Sequence, residues 1–250
     1  MTTVKILAMS DIHSRLSIFE RLLTKERIDA VDKVVLLGDY VGYGTSPEKM
    51  VYLLLELKKV YGDKITLLKG NWEELAYGAI TGELKYMSRS QCEEIIKSRR
   101  SSNVITSFTR SVKATKAFLS LYNQCRYAEV LDLKFVFAHA GVSPDYINHR
   151  DAMTILKNTT IGEFLWDGKA FAESDFSQSY YIYIVGHIPF CFLHDKPTPY
   201  VKQGHYINID FRASSKYGNL GYFCIDTDTG AKAYKSYPVD QKARMGKIGV

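Results

Sequence analysis

Val34-Val35-Leu36-Leu37-Gly38-Asp39 is a short apolar run that stops at a glycine and an acid. A run this short, rich in β-branched and aliphatic residues and closed by Gly, reads as a buried strand. The same form precedes it at Val4 to Met9, which enters Ser10-Asp11-Ile12-His13, and follows it at Ile65 to Leu68, which enters Gly70-Asn71. Between these runs, Leu16, Phe19, Leu22 and Leu23 recur at helical spacing up to about Arg27. Pro47 then opens a second helix carrying Val51, Leu54, Leu55 and Leu57. Short strands separated by single helices imply parallel pairing through right-handed crossovers, and so an α/β sheet. The loops at the carboxyl ends of parallel strands share one edge. Asp11, His13, Asp39 and Asn71 are therefore expected to meet there.

From about Trp72 to Asn123 the pattern is helical, with no strand signal. Strands are expected again at Ala128 to Leu131, Phe135 to Ala138, Tyr180 to Val185, His205 to Ile209, Leu220 to Ile225 and Ala231 to Tyr234. Asp226 to Gly230 reads as the turn of a hairpin between the last two. Without an internal repeat or a low-complexity linker, the expectation is one domain over 1–250. It carries a helical insertion at about 74–126 and a loose tail over 239–250.

Two later strands repeat the strand-then-ligand form. Phe135-Val136-Phe137-Ala138 runs into His139, and Tyr183-Ile184-Val185-Gly186 runs into His187. Singly, each candidate has a plainer reading: Asp11 as a helix cap, Asn71 as a turn residue, each His as a polar strand end. Together they supply two carboxylates, three imidazoles and one amide oxygen, with no thiolate, a set suited to Mn, Fe, Zn or Mg. Six ligands exceed one tetrahedral site, so two ions sharing a carboxylate is the economical arrangement. Two ions about 3.5–4 Å apart can hold a hydroxide and clamp phosphoryl oxygens during in-line attack. That chemistry is phosphoester hydrolysis without a protein nucleophile.

Composition agrees with an enzyme-sized globular chain. The 250 residues are 46% hydrophobic and 13% aromatic, which excludes a disordered tail, a collagen or a coiled coil. No apolar run approaches the roughly 20 residues of a membrane span, and no leader pattern opens the chain, so a cytoplasmic protein is expected. The four cysteines form no CxxC pair, which argues against a zinc knuckle or a disulfide framework. The net charge of +6 is local. Between Ile80 and Arg126 there are nine basic and three acidic residues, and the remainder balances at 24 of each. The plain reading of this segment is a solvated charged face; the sharper one is a basic lid, with Arg99, Arg100 and Arg110 steering anionic substrates.

The strings DIH, GDYVGYG, GNWE, HAG and GHIP, in this order and spacing, resemble the calcineurin-like metallophosphoesterase superfamily. Its pattern is DxH, GDxxDRG or GDxxGYG, GNHE or GNHD, HAG or HGH, and GHTP or GHTH. The resemblance runs from about Val4 to Asp226. It implies a four-layer α/β/β/α sandwich of two mixed sheets. It also implies one divalent ion on Asp11, His13 and Asp39 and a second on Asp39, Asn71, His139 and His187, bridged by Asp39. Manganese is the first candidate, with Fe, Zn, Ni or Mg as alternatives. The implied substrate is a phosphorylated small molecule, a nucleotide or a phosphoprotein, without membrane or nucleic-acid partners. The motifs divide between the protein-phosphatase or dinucleoside-tetraphosphatase branch and a phosphodiesterase branch.

Three departures bear on chemistry. Gly42 and Tyr43 stand where the protein-phosphatase branch carries Asp-Arg. Leu165-Trp166-Asp167-Gly168 lacks the Arg that a similar segment supplies in some of these enzymes. Trp72 replaces the His that would protonate the leaving oxygen. The candidate substitutes are His194 as acid and Arg15 and Arg212 as phosphate clamps; Tyr43 and Trp72 read either as packing residues or as stacking surfaces for a nucleobase. Because two arginines and the acid His are displaced, a catalytically weak phosphate-binding regulatory protein is the alternative from another class.

Overall fold

The computed structural model describes residues 4–132, 134–227 and 232–239. The anticipated hairpin turn after Asp226 falls largely on 228–231, and the anticipated tail beyond Val239 on 240–250, both outside the described residues.

Strand β1 (Lys5–Met9) is the centre of the first sheet. It pairs in parallel with β2 (Lys33–Leu36), which pairs in parallel with β3 (Ile65–Leu67). On its other side lies antiparallel β9 (Asn219–Asp226), followed by β10 (Lys232–Pro238), so the order is β10-β9-β1-β2-β3. The second sheet runs β4-β5-β6-β8-β7. Here β5 (Phe135–Ala138), β6 (Ile182–Val185) and β8 (Tyr206–Asn208) are parallel, while β4 (Ala128–Leu131) and β7 (Tyr200–Lys202) are antiparallel edges. Both sheets are mixed, as the family resemblance implies, and each has five strands among the described residues.

The period-2 alternation of strand side chains sorts the core into layers. On β1, Ile6 and Ala8 face a core shared by the two sheets, with Val35, Phe137, Ile184 and Ile207, while Leu7 and Met9 face helices. On β5, Phe135 and Phe137 join the inter-sheet core, and Val136 and Ala138 point to the opposite side. Three buried clusters in series, helix-sheet, sheet-sheet and sheet-helix, make the four layers.

Ten α-helices lie among the described residues. The first sheet is covered by α1 (Leu16–Leu22), α2 (Lys25–Asp29), α3 (Pro47–Tyr61) and α4 (Asn71–Thr81), together with α5 (Arg89–Ser98), α6 (Asn103–Thr109) and α7 (Val112–Gln124). The stretch expected as one helix to Arg27 breaks at Thr24, whose hydroxyl caps α2. After α7 the chain returns to the first sheet, where Arg126 pairs with Leu68 beside β3. The second sheet is covered by α8 (Ala152–Lys157), α9 (Ile161–Leu165) and α10 (Gly168–Glu173).

Candidate metal centre

The carboxyl ends of β1, β2 and β3 and those of β5, β6 and β8 open onto one cleft of about 450 Å³. Asp11, His13, Asp39, Asn71 and His187 line it. His139 lies beneath, fully buried, with Nε2 3.0 Å from Asn71 Oδ1, 3.5 Å from Asp39 Oδ1 and 3.2 Å from His187 Nδ1. On the other side of Asp39, His13 Nε2 stands 3.7 Å from Asp39 Oδ2 and 3.9 Å from Asp11 Oδ1. All six residues expected from the sequence thus meet, with Asp39 between two groups.

Backbone strain marks the same place. Asp11 (φ 53), His13 (φ 47), Asp39 (φ 53) and His187 (φ 66) occupy the left-handed region, unusual for residues with a Cβ. Such strain persists only where the surroundings over-determine it, and it gathers at functional sites. Two glycines let the loops close in. A Cβ on Gly70 would collide with the Asp39 carboxylate, and one on Gly186 with Ser10 Oγ and Asp11 Oδ2. The loops are pinned as well. The buried Glu73 carboxylate accepts the backbone N–H of Asp39 (2.8 Å), Tyr40 (2.9 Å), Val41 (3.1 Å) and Gly70 (3.0 Å). Asp11 Oδ2 accepts from Ser10 Oγ at 2.5 Å and from the His187 N–H at 2.9 Å.

The ring tautomers follow from these contacts. His139 Nδ1 lies 2.9 Å from the Leu37 carbonyl and His13 Nδ1 3.2 Å from that of Val41, so each Nδ1 donates its hydrogen to a carbonyl. Each Nε2 is left with a lone pair aimed into the cleft, the usual arrangement behind a metal-binding His. Burial holds His13, His139 and His187 near a pKa of about 4, so all three are neutral at pH 7. Burial, then the nearby Asp11 and Glu73, pushes Asp39 well above the ordinary carboxylate range. The Asn71 amide lies against Asp39 and His139; with the amide turned, its nitrogen donates to both Asp39 oxygens at 3.1 Å and to His139 Nε2 at 3.0 Å, and in the other orientation its oxygen is the group offered there. Converging carboxylates, imidazole lone pairs and an amide oxygen fit a divalent cation, which removes the repulsion among them. Asp11, His13 and Asp39 offer ligand atoms within 4.8 Å of one another.

The other expected site residues divide. Tyr43, Trp72 and Arg212 line the cleft. Trp72, only 4% exposed, packs at right angles to His13, and Tyr43 sits against both rings at 5.0 Å. Packing therefore holds Trp72, which has no free face for a base. Arg15 and His194 are not brought to the cleft. Arg15 donates from Nε to the Ala213 carbonyl (2.9 Å) and faces a separate small pocket. His194 spends both nitrogens within its own loop: Nε2 lies 3.0 Å from the Thr198 carbonyl, and Nδ1 accepts from the Lys196 N–H.

Two cleft or supporting residues, Asp210 and Glu73, escaped the sequence reading in their roles. Asp210, 3% exposed, ends β8 as Asp11 and Asp39 end β1 and β2; the same strand-then-acid form could have found it. Glu73 stands within GNWE, but no periodicity reveals a carboxylate that binds four backbone amides. Arg99 is the one basic residue of the 80–126 surplus that lines the cleft. The lid expectation narrows accordingly, since Arg110 pairs with Glu48, Lys97 with Glu93 and Arg126 with Glu129.

Fold and site together define a metal-dependent phosphoesterase scaffold. The family model of the calcineurin-like phosphoesterases matches residues 4–209, and the chain belongs to that family, whose members use divalent metals. Among solved structures, a serine/threonine phosphatase from Saccharomyces cerevisiae with similarity to human phosphatase PP5 is 12% identical, with a TM-score of 0.60 over 94% of this chain and 80% of that one. A metallophosphoesterase from Sphaerobacter thermophilus is 18% identical, with a TM-score of 0.54 over 100% of this chain and 95% of that one. At such identities the likeness is one of fold.

Proposed function

We propose that the protein is a dinuclear metal-dependent phosphoesterase acting on phosphomonoesters or nucleoside polyphosphates, with a phosphodiesterase of the same superfamily as the alternative. The observation that carries this is the convergence of potential ligand atoms from Asp11, His13, Asn71, His139 and His187 on the two sides of one buried carboxylate, Asp39. Asp11, His13 and Asp39 would hold one ion; Asp39, Asn71, His139 and His187 the other. When bound, such ions supply Lewis acidity toward phosphoryl oxygens and activate water.

The chain's own residues do the rest. Glu73 and the Nδ1–carbonyl bonds of His13 and His139 fix the ligands before substrate arrives. Arg212 lines the cleft and brings positive charge to an incoming phosphate. Trp72 offers no proton to the leaving oxygen, which forfeits a contribution of about 10²–10⁴-fold for poor leaving groups. The favoured substrates are therefore those whose leaving group departs without protonation, such as aryl phosphates and nucleoside polyphosphates.

A metal-by-substrate panel tests this, with Mn, Fe, Ni, Zn and Mg against an aryl monoester, a bis-aryl diester, a phosphoserine peptide and diadenosine tetraphosphate. Aryl monoester turnover should exceed phosphoserine turnover by about 10²-fold or more, and Trp72→His should raise the phosphoserine rate selectively. Equal efficiency on both would refute the role of Trp72. Higher efficiency on the diester would favour the phosphodiesterase. Bound metal without turnover of any substrate would favour a phosphate-binding regulatory protein.

A further inference from the structure

The polar cleft adjoins an apolar pocket of about 530 Å³, and two side chains, Ile95 and Trp166, line both. Tyr86 and Met87 supply the rest of one wall, ahead of α5, and Ile161 at the start of α9 the other; no charged residue lines it. Ile95 and Arg99 are four residues apart at the end of α5, where the Arg99 N–H bonds the Ile95 carbonyl at 3.2 Å, so both side chains project from one face. Ile95 reaches the apolar pocket, while Arg99 reaches the metal cleft, which Tyr43 also lines. Arg110 and Lys97, also in the helical insertion, are held by acidic partners, so the cation this segment brings to the cleft, which Arg212 lines as well, is Arg99.

We propose that the end of α5 reads the substrate: Arg99 grips a phosphoryl oxygen, and Ile95 with Tyr86, Met87, Ile161 and Trp166 holds an apolar aryl group of the same ester. This rests on the phosphoesterase reading and names its substrate class, an aryl phosphate. Arginine suits the first task because its planar donors meet phosphate oxygens in charge-assisted pairs. The pocket suits an aromatic hydrocarbon better than a nucleobase, sugar or peptide, since a ring with polar edges would leave them unpaired there.

The test measures binding of two non-reacting probes, inorganic phosphate and phenylphosphonate, to the full manganese-loaded chain by calorimetry. The parent should bind phenylphosphonate on the order of tenfold more tightly than phosphate. Arg99→Gln should weaken both probes about tenfold, and Arg100→Gln, in the neighbouring residue, neither. Ile95→Asn should erase the preference for phenylphosphonate and leave phosphate affinity alone. Ile161→Asn, 40% exposed on the opposite wall, should do the same should Ile95→Asn disturb folding. Affinities within twofold of the parent in Arg99→Gln, or a preference that survives both isoleucine variants, would overturn the proposal. Arg99-dependent binding by a protein that hydrolyses no phosphoester would refute the hydrolase reading and leave this one standing.

Discussion

Glu73 shows how a buried charge can serve a site it never enters. Its two oxygens accept four backbone N–H groups, three from the loop that carries Asp39 and one from Gly70 beside Asn71. One side chain thereby fixes the spacing of two candidate ligands. Its pKa is nonetheless raised to about 7, burial outweighing the amide bonds. Each buried donor left unpaired costs about 1–3 kcal/mol. Glu73→Ala should therefore lose at least about 3 kcal/mol in urea unfolding and weaken manganese binding, whereas Glu73→Gln should retain part of both. At this scale the candidate ligand residues were legible because most of them follow the end of a strand beside a glycine or small residue. Arg15 and His194 misled because proximity in sequence to a motif does not fix where a side chain points. A carbonyl captures the first, and a tight loop the second.

Among the elements, helices α5 to α7 carry the proposed reading of the substrate. Asn103 Nδ2 in α6 donates to the Gly44 carbonyl at 2.9 Å, tying the insertion to the loop that carries Asp39 and Tyr43. Asn103→Ala should cost about 1 kcal/mol of stability. It should also raise KM for aryl phosphate more than it lowers kcat, because the tie bears on Arg99 and Ile95 rather than on the ligands; steady-state kinetics would separate the two. Long elements with clear periods, α3 and the insertion helices, were legible. Short ones were not: α8, α9 and α10 span six, five and six residues, too few for a helical period to stand out. Their caps were the available signal, Asp151 before α8 and Thr160 with Glu163 around the start of α9. The edge strand β7 has three residues and no buried face, so alternation could not mark it.

In the whole molecule, the centre exists because two sheets share a core. Ile6, Val35, Phe137, Ile184 and Ile207 bury one face of each sheet against the other, and that contact sets the carboxyl ends of β1, β2 and β3 beside those of β5, β6 and β8. Neither sheet alone carries the set, since Asp11, His13, Asp39 and Asn71 come from one and His139 and His187 from the other. The parallel order of the first three strands followed from the sequence. The pairing of the sheets came through family resemblance, because no local pattern reports which faces meet. The same holds for charge. Of the nine basic residues between Ile80 and Arg126, Arg99 alone lines the cleft, and the sequence could narrow the surplus no further than Arg99, Arg100 and Arg110.

The central claim is that Asp39 joins two metal sites in one hydrolytic centre. Metal content and aryl phosphate turnover, measured together in the parent and in Asp39→Asn after manganese loading, address it directly. The parent should hold about two ions per chain, and the variant at most about one, with turnover reduced on the order of a thousandfold or more. A variant that keeps both ions and the parent rate would contradict the account.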